Sequence, residues 1–446
     1  LDYRIQLYVD DCTGCGVCVE TCPAKPKKAL EFTTLEQERA EGQVENYKFF
    51  EKLPDNVLDG ASEDTVKGAM FKKPLFEFSG ACAGCGETPY VKLVTQICGE
   101  RMIIANATGC SSIYGGTFPT TPYCKNKEGR GPVWGNSLFE DNAEYGFGMR
   151  LAVDNNRRQL KLNVEKILSI GADSDIIAAL KRSISLWDSK SAEASVAQDA
   201  VKMLLPKSIS SASGEAKTVL EKIGELADYF TDKSIWCFGG DGWAYDIGYG
   251  GLDHVVAMRK NVNIMVLDTE VYSNTGGQAS KSTPIGAVAK FANSGMRLTK
   301  KNLGFMCMSY GYVYVASVAM GANRAQTLKA FQEAEAYNGP SLIIAYAPCI
   351  AHGIDMMKSQ TEEKLAVDAG YWPLYRYNPA LIAEGKSPFI WETKDASMNY
   401  QEFIKGERRY TTLLKTAPQE AEKIFQEAEA DAKRRMTFFK KLGEIM

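Results

Sequence analysis

Three short apolar runs in the second half of the chain constrain its fold more than any other feature. They are rich in β-branched and aromatic residues, and helix-like segments lie between them; the runs are "SIWCFGGDG" (234–242), "NVNIMVLDT" (261–269) and "PSLIIAYAPC" (340–349). Buried strands that alternate with helices are typical of a parallel sheet covered on both faces. The sequence therefore predicts an α/β fold with a mostly parallel sheet and helices on both of its faces.

Composition narrows the class of protein. The chain has 446 residues with 52 Lys and Arg against 55 Asp and Glu, a net charge of -3, so neither a nucleic-acid partner nor a membrane partner is indicated. Twelve cysteines without a secretory signal favour metal or redox chemistry in a reducing compartment over disulfides. A cytoplasmic location is the corresponding prediction.

Changes in composition along the chain divide it into four parts. Residues 1–30 hold a dense run of cysteines, and residues 31–74 form a charged connector with few core-like segments. The α/β pattern occupies residues 75–394, with a helical insertion at about 151–230 that lacks the strand pattern. Residues 395–446 are predicted to form a charged helical tail.

The cysteine run near the start predicts an iron-sulfur site. Cys12, Cys15, Cys18 and Cys22 stand in "CTGCGVCVETCP", the spacing of bacterial ferredoxins, which predicts 4Fe-4S ligation in a partial ferredoxin-like α+β domain. In two-cluster ferredoxins the fourth cysteine serves the other cluster, so Cys22 is assigned to a second cluster. Since no other such run exists in the 446 residues, the remaining ligands are expected from protein outside them. The chain is accordingly interpreted as the carboxyl-terminal part of something larger.

The ends of the first two apolar runs carry a phosphate and metal pattern. A Gly-Asp-Gly turn lets the backbone approach a diphosphate, a helix is predicted from about Ala244, and Asp241 with an oxygen ligand 28 residues later could hold Mg²⁺. This arrangement resembles that of thiamine diphosphate enzymes, although most of them have Asn where this chain has Thr269. In that pattern the carbonyl of Val271 completes the metal ligands, and Asn274 lies near the reacting carbon.

Taken together, these motifs resemble those of the pyruvate:ferredoxin oxidoreductase family over essentially the whole chain, as its carboxyl-terminal third. The further motifs that carry the resemblance are "CAGCGETPY", "NATGCSSIYGG" and "YAPCIAHG". The family implies another 4Fe-4S cluster close to the cofactor, with Cys82, Cys85, Cys110 and Cys349 as its ligands. The spacing is compatible with this set, because Cys349 ends an apolar strand and could reach the same sheet edge as the diphosphate motif. The alternative is that Cys110 and Cys349 are buried apolar thiols.

The resemblance also assigns the residues of the thiamine diphosphate site. They are Glu87, Cys110, Gly240, Asp241, Gly242, Trp243, Thr269, Glu270, Val271, Tyr272, Ser273 and Asn274. Asn274 is given a catalytic role. Neither histidine, His254 or His352, falls in a predicted catalytic group. Four cysteines without motif context are expected to be ordinary buried thiols: Cys98, Cys124, Cys237 and Cys307.

The implied reaction is the oxidative decarboxylation of pyruvate with CoA to acetyl-CoA and CO₂, with electrons passing through the clusters to ferredoxin or flavodoxin. In the family an amino-terminal domain supplies the glutamate that activates thiamine and the CoA site, so the 446 residues alone are expected to be inactive. The family also suggests a homodimer. Three alternatives stay open: another 2-oxoacid such as 2-oxoglutarate, a non-redox thiamine diphosphate decarboxylase or synthase, and an electron-transfer module without its own catalysis.

Overall fold

Eight strands form one sheet at the centre of the computed structural model, which describes residues 5–55, 60–116 and 121–446. In chain order the strands are β1 (Met102–Ala107), β2 (Val133–Ser137), β3 (Ser234–Gly240), β4 (Asn263–Asp268), β5 (Tyr314–Val318), β6 (Ser341–Tyr346), β7 (Tyr375–Tyr377) and β8 (Phe389–Trp391). Their order across the sheet is β2-β1-β3-β4-β6-β5-β7-β8. The first six strands in this order, which end with β5, run parallel to one another. The last two, β7 and β8, are antiparallel and form one edge of the sheet. The mostly parallel sheet predicted from the sequence is confirmed.

The three apolar runs become β3, β4 and β6, which are direct neighbours. Gly240 pairs with Leu267, and Asp268 pairs with Tyr346, so the three strands end almost level with one another. Because parallel strands point the same way, the loops that follow them meet at one edge of the sheet.

The described residues form eighteen α-helices. They are α1 (Val17–Glu20), α2 (Leu35–Ala40), α3 (Gln43–Phe50), α4 (Val66–Ala69), α5 (Thr88–Cys98), α6 (Cys110–Gly115), α7 (Asn142–Ile170), α8 (Ser174–Ser185), α9 (Ala192–Ser211), α10 (Gly214–Glu225), α11 (Tyr249–Ala257), α12 (Leu303–Met308), α13 (Arg324–Ala336), α14 (Ser359–Asp368), α15 (Tyr400–Lys405), α16 (Arg408–Thr411), α17 (Leu413–Thr416) and α18 (Ala421–Ile445). None of those helices, all within the ranges described above, combines the length and apolar character needed to cross a bilayer.

Helices cover both faces of the sheet because strand side chains alternate between the faces. Cys237 and Val266 point into a core formed with α7, α11, α12 and α14. Their neighbours Phe238 and Leu267 point into the opposite core, formed with α5 and α13. The carboxyl-terminal helices α15 to α18 belong to the first core, where Tyr410 is fully buried. The segment predicted as a charged tail therefore packs into the main body of the protein.

The helical segment between β2 and β3 has a core of its own. The second half of α7 packs with α8, α9 and α10 around Leu160, Val164, Ile176 and Val201. The first turns of α7 instead lie on the sheet, since Ala143 belongs to the sheet core. Helix α7 therefore begins before the predicted start of the insertion near residue 151.

The amino-terminal segment is sparse in regular structure. Residues 5–30 contain helix α1 and no strand, and residues 1–4 lie outside the described ranges. A ferredoxin-like domain at residues 1–30 stays a prediction, as does the division of the chain into domains. Residues 31–74 carry α2, α3 and α4 within their described part.

Candidate active site

Four of the predicted site residues come directly after parallel strands, at the carboxyl edge of the sheet. Cys110 follows β1, Asp241 follows β3, Thr269 follows β4 and Cys349 follows β6. In open α/β sheets this edge forms the crevice where ligands bind. The strands β1, β3, β4 and β6 are consecutive in the sheet, so these four residues lie on the same side of the molecule.

Three oxygen atoms that were predicted to bind Mg²⁺ lie together. The Thr269 hydroxyl is 3.2 Å from Oδ1 of Asp241 and 3.0 Å from the carbonyl oxygen of Val271. Oδ2 of Asp241 is buried without a hydrogen-bond partner, and burial followed by the charge of Asp268 raises the pKa of this carboxyl well above its usual value. A buried carboxyl of this kind stays protonated unless a cation compensates its charge, so a bound cation would favour its ionised form. Carboxylate, hydroxyl and carbonyl oxygens are ligands that suit a hard cation such as Mg²⁺.

Glu270 stands between Thr269 and Val271 but turns its side chain away from them. Its backbone has a positive φ of 60°, and its carboxylate lies 2.9 Å from Lys300 Nζ and 2.9 Å from Arg409 Nη2. Burial alone would raise the pKa of Glu270, but the charges of Lys300 and Arg409 outweigh it and lower the pKa to about 2. Of Glu270, only the backbone is therefore available to a cofactor.

The Gly-Asp-Gly turn is closely packed. A Cβ at Gly242 would lie 2.3 Å from the ring of Tyr272, so a larger residue there would displace that ring. Tyr272 itself is half-buried and contacts Phe139 edge-on. At Gly240 the nearest atom to a built Cβ is 3.9 Å away, which leaves open space beside the strand end.

The helix after this turn differs from the prediction. Residues Gly242–Asp246 form a π-helical turn, and α11 begins only at Tyr249 rather than near Ala244. Trp243 is 1% exposed and packs in the sheet core. Its indole is thus a core group, and only its backbone could contribute to a diphosphate site. π-Helical turns occur frequently at functional sites.

A cavity of about 150 Å³ brings the four predicted cluster cysteines to the thiamine motif. The site residues in its lining are Cys82, Cys85, Cys110, Cys349, Glu87, Thr269 and Asn274. Asn274 is exposed at its rim, and Ser273 Oγ lies 3.2 Å from Cys110 Sγ. Cysteines separated by more than 260 positions in the chain therefore share one cavity with a proposed Mg²⁺ ligand.

The loops that carry these cysteines are packed against one another. The N–H of Gly86 donates to the carbonyl of Pro348 at 3.1 Å, which joins the Cys85 loop to the Cys349 loop. Backbone N–H groups also point at the sulfurs, from Glu87 to Cys85 at 3.4 Å and from Ala351 to Cys349 at 3.4 Å. Hydrogen bonds of this kind tune iron-sulfur clusters.

The side chains of these four cysteines lie on the cavity wall and do not converge on a single point. Within residues 5–55, 60–116 and 121–446, no three His, Cys, Asp or Glu side chains converge closely enough to hold a single metal ion. A 4Fe-4S cluster is larger than an ion and takes its thiolates at separate corners, so ligands on the wall of a cavity suit it. Burial is the main cause that raises the pKa of Cys110 to about 12 and of Cys349 to about 11, so iron would have to displace their protons.

Glu87 is buried beside this cavity. It is 4% exposed, accepts a hydrogen bond from the hydroxyl of Tyr114 at 3.0 Å, and burial raises its pKa to about 7. Near neutral pH the carboxyl group is therefore divided between its protonated and ionised forms. A carboxyl in that state can donate a hydrogen bond to a bound molecule as well as accept one.

The first cysteine group lies nearer the surface. Cys12 and Cys18 are exposed, whereas Cys15 and Cys22 are half-buried. Backbone N–H groups of Ala24 and Ala29 lower the pKa of Cys22. The ligand role of these four cysteines stays a prediction.

A short turn, Met356–Lys358, touches both cysteine groups. A Cβ at Gly16, between Cys15 and Cys18, would lie 2.6 Å from Sδ of Met357. A Cβ at Gly84, between Cys82 and Cys85, would lie 2.2 Å from the carbonyl oxygen of Met356. Both glycines have positive φ, which glycine adopts without strain. The two cysteine loops therefore pack against the same short turn, one against the side chain of Met357 and the other against the backbone of Met356.

The four cysteines without motif context lie outside the cavity. Cys98, Cys237 and Cys307 are buried, and Cys124 is half-buried. None of them lines the cavity described above.

Sequence reasoning missed a buried polar group behind the metal motif. His352 is fully buried with Nε2 2.7 Å from the carbonyl oxygen of Thr269, whereas His254 is exposed on α11. Arg409 binds Glu407 at 2.7 Å as well as Glu270. The position of His352 three residues after Cys349 was a usable signal. Arg409 gave none, because 139 positions separate it from Glu270.

Comparison with known proteins agrees with this geometry. The model of the thiamine pyrophosphate enzyme family, C-terminal TPP binding domain, matches residues 210–345. The fold and this match define the class of the central domain as a thiamine diphosphate-binding domain.

The particular relatives follow from similarity over the whole chain. The chain is 58% identical to the pyruvate:ferredoxin oxidoreductase of Moorella thermoacetica over 447 aligned positions and 49% identical to the pyruvate-flavodoxin oxidoreductase of Klebsiella pneumoniae over 443. Over its whole length the chain is thus similar to one part, the carboxyl-terminal part, of pyruvate:ferredoxin (flavodoxin) oxidoreductases.

The match covers 100% and 99% of this chain but only 38% and 37% of those two relatives. Among solved structures, a 2-oxoglutarate:ferredoxin oxidoreductase from Magnetococcus marinus is 14% identical, with a TM-score of 0.36 over 61% of this chain and 65% of that one.

Proposed function

We propose that the chain forms the cofactor-binding and electron-collecting part of a pyruvate:ferredoxin oxidoreductase. The complete enzyme would convert pyruvate, CoA and oxidised ferredoxin or flavodoxin into acetyl-CoA, CO₂ and the reduced carrier. The observation that carries this proposal is the single cavity lined by Cys82, Cys85, Cys110, Cys349 and Thr269. A non-redox thiamine enzyme would have no use for four cysteines at that place. The named activities of the two relatives support pyruvate as the substrate.

Mg²⁺ would be held by Asp241, Thr269 and the carbonyl of Val271, whose oxygens already lie together. The backbone at Gly240 and Gly242 would approach the diphosphate. Bound thiamine diphosphate supplies an electron sink when a 2-oxoacid loses CO₂. The chain's own part is to orient that group and to hold its diphosphate through the metal.

The remaining polar groups of the cavity would act on what binds there. Asn274 is assigned the catalytic role, as an amide at the rim that can donate a hydrogen bond to substrate. Glu87 can contact the cofactor from the buried side. Trp243, Glu270, Tyr272 and Ser273 would contribute through their backbone or by packing, since the side chains of Trp243 and Glu270 are held in the core.

Electrons would leave through the cysteine sites. Cys82, Cys85, Cys110 and Cys349 are assigned to a 4Fe-4S cluster at the cavity. Cys12, Cys15 and Cys18 are assigned to a second cluster, and Cys22 to a third, each completed by ligands from other domains of the same enzyme. Those domains would also supply the CoA site, and the enzyme would be a cytoplasmic homodimer.

The complete enzyme that contains this chain provides the test. We expect reduction of a viologen dye that requires both pyruvate and CoA, with much slower reduction when 2-oxoglutarate replaces pyruvate. The 446 residues alone, loaded with iron and thiamine diphosphate, are expected to bind both and to reduce no dye. Decarboxylation of pyruvate without dye reduction would favour a non-redox decarboxylase, and absence of bound thiamine diphosphate would favour a pure electron-transfer module. Preference for 2-oxoglutarate would overturn the substrate assignment.

Replacement of Cys349 by Ala is expected to remove the cluster at the cavity. Without a fourth thiolate the cluster loses one to all of its roughly four iron atoms per chain. Iron analysis and electron paramagnetic resonance of the reduced protein measure the loss. The matched control is Cys124→Ala, a half-buried cysteine outside the cavity, which should keep the full iron content. Equal iron and identical spectra in the two variants would contradict the ligand assignment.

A further inference from the structure

His352 joins the two halves of the site. Its Nε2 lies 2.7 Å from the carbonyl oxygen of Thr269, in the proposed Mg²⁺ loop. Because a carbonyl oxygen can only accept, Nε2 must carry a hydrogen, and in the neutral ring Nδ1 is then the acceptor. The N–H of Cys349 points at Nδ1 from 3.5 Å, which is a long contact. The imidazole therefore faces the metal loop with one nitrogen and the cluster loop with the other.

The link from His352 to Cys349 is also made by the backbone. Residues Ile350–His352 form one turn of 3₁₀ helix, closed by a hydrogen bond of 2.9 Å from the His352 N–H to the Cys349 carbonyl. Within the same turn the Ala351 N–H points at Cys349 Sγ from 3.4 Å. A displacement of the Cys349 sulfur would thus be transmitted to the imidazole within a single turn.

The imidazole has little freedom to move. It is 0% exposed and stacks on Tyr346 with ring centroids 6.2 Å apart and planes 21° from parallel. Glu407 Oε1 is 3.7 Å from Nδ1, too far for a hydrogen bond but close enough to limit the space. Because the ring is enclosed on these sides, it acts as a rigid spacer between the two loops.

The metal loop on the other side of His352 is equally constrained. Glu270 is held by Lys300 and Arg409, and its carbonyl accepts a hydrogen bond of 2.6 Å from Thr283 Oγ1. The carbonyl of Thr269 is therefore fixed between Glu270 and His352. Any shift of it would move the Thr269 hydroxyl and the Val271 carbonyl, both proposed Mg²⁺ ligands.

We propose that His352 is a positioning residue that couples the Mg²⁺-thiamine diphosphate site to the cluster site, so that occupation of either site raises affinity at the other. The proposal rests on the proposed function, which supplies the two sites. Coupling of this kind is a free energy shared by two sites and is reciprocal, and its usual size is about 5- to 150-fold in affinity. Such coupling would keep thiamine diphosphate and the cluster at the cavity, which is the proposed first electron acceptor, in a fixed relative position.

A double-mutant cycle in the complete enzyme tests the coupling. Mg²⁺ is titrated at saturating thiamine diphosphate, with near-ultraviolet circular dichroism as the readout. The four proteins are the unmodified enzyme, Cys82→Ala, His352→Gln and the double variant. Cys82→Ala leaves the Cys349 turn intact, and iron analysis verifies that it has lost the cluster. We expect Cys82→Ala to weaken Mg²⁺ binding at least about fivefold when His352 is present and to leave it nearly unchanged in the His352→Gln background.

His352→Gln preserves a donor for the Thr269 carbonyl but lacks the second ring nitrogen and the rigid ring, so the fold and the metal site should survive. His254→Gln on the surface of α11 is the matched control and should keep the full coupling. His352→Phe, which has no donor, should lose about 10-fold or more in Mg²⁺ affinity. A second readout independent of turnover is the paramagnetic resonance spectrum of the reduced cluster, which should change on addition of Mg²⁺ and thiamine diphosphate only when His352 is present.

Two results would overturn the coupling while the proposed function stands: equal Mg²⁺ affinity in the unmodified enzyme and Cys82→Ala, or the same affinity ratio in the His352→Gln background as with His352 in place. The first comparison does not depend on folding of any His352 variant. Failure of all forms to bind Mg²⁺ with thiamine diphosphate would instead overturn the proposed function, and the coupling with it.

Discussion

Substitution of Asn for Asp241 is expected to abolish Mg²⁺-dependent binding of thiamine diphosphate, with a loss of affinity of more than about 100-fold. Asp241 is the only charged side chain among the three proposed metal ligands, and its Oδ2 has no partner in the described part of the protein. The neutral amide would remove the charge that the cation neutralises. At the same time the protein without ligands should be equally stable or more stable, because a buried carboxylate next to Asp268 is costly in the absence of a cation.

Two measurements on one pair of proteins check both expectations. Calorimetric titration with Mg²⁺ and thiamine diphosphate gives the affinity, and the thermal midpoint with and without these ligands gives the stability. Asp395→Asn serves as the control, since its carboxylate is 92% exposed and only pairs with Lys440 on the surface. Retention of cofactor binding by Asp241→Asn, or a thermal midpoint several degrees lower without ligands, would show that Asp241 has a structural role instead.

Replacement of Arg409 by Met is expected to destabilise the fold by about 3–5 kcal/mol. The guanidinium is 1% exposed and lies between the carboxylates of Glu270 and Glu407 at 2.9 and 2.7 Å. Its removal would leave the Glu407 charge buried without a cation, and Glu270 with Lys300 alone. Desolvation of a charge that has lost its partner is the main part of the cost. Because Glu270 sits inside the metal loop, weaker Mg²⁺ binding should accompany the loss of stability.

The chain offers close controls for this substitution. Arg408→Met alters the neighbouring residue of α16, which is exposed, and should change the free energy of unfolding by less than about 0.5 kcal/mol. In the double variant Arg409→Met with Glu407→Gln, part of the lost stability should return, since the carboxylate that was left without a cation is gone. Urea unfolding of the four proteins measures these differences. Equal stability of the two single Met variants would refute the view that the buried ion pairs support the metal loop.

Several features of the fold and site were available from local sequence. The apolar runs that became β3, β4 and β6 had the short length and β-branched composition typical of buried strands, and the residues that follow parallel strands share one edge of the sheet. Asp241 and Thr269 could therefore be paired from spacing. The family resemblance, rather than spacing, selected Cys82, Cys85, Cys110 and Cys349 from twelve cysteines, and the structure places those four around one cavity.

Other features depended on contacts that sequence patterns do not record. Trp243 and Glu270 stand inside motifs, yet the indole packs in the core and the carboxylate turns towards Lys300 and Arg409. A π-helical turn at Gly242–Asp246 stands where a helix from about Ala244 was predicted, and the ring of Tyr272 packs closely against Gly242 in that turn. The carboxyl-terminal segment looked like a charged tail because no sequence pattern connects Arg409 to Glu270, with which it pairs in the buried core.

The sequence by itself determined the class of fold and which loops carry chemistry, since hydrophobic pattern, glycine turns and cysteine spacing are properties of short segments. Only the tertiary structure decided which side chains in those loops face the cavity and which are bound instead by residues of the protein core. The physical reason is that burial in a low-dielectric core obliges each polar group to find a partner, and for Thr269 and Glu270 those partners, His352 and Arg409, come from distant positions in the chain.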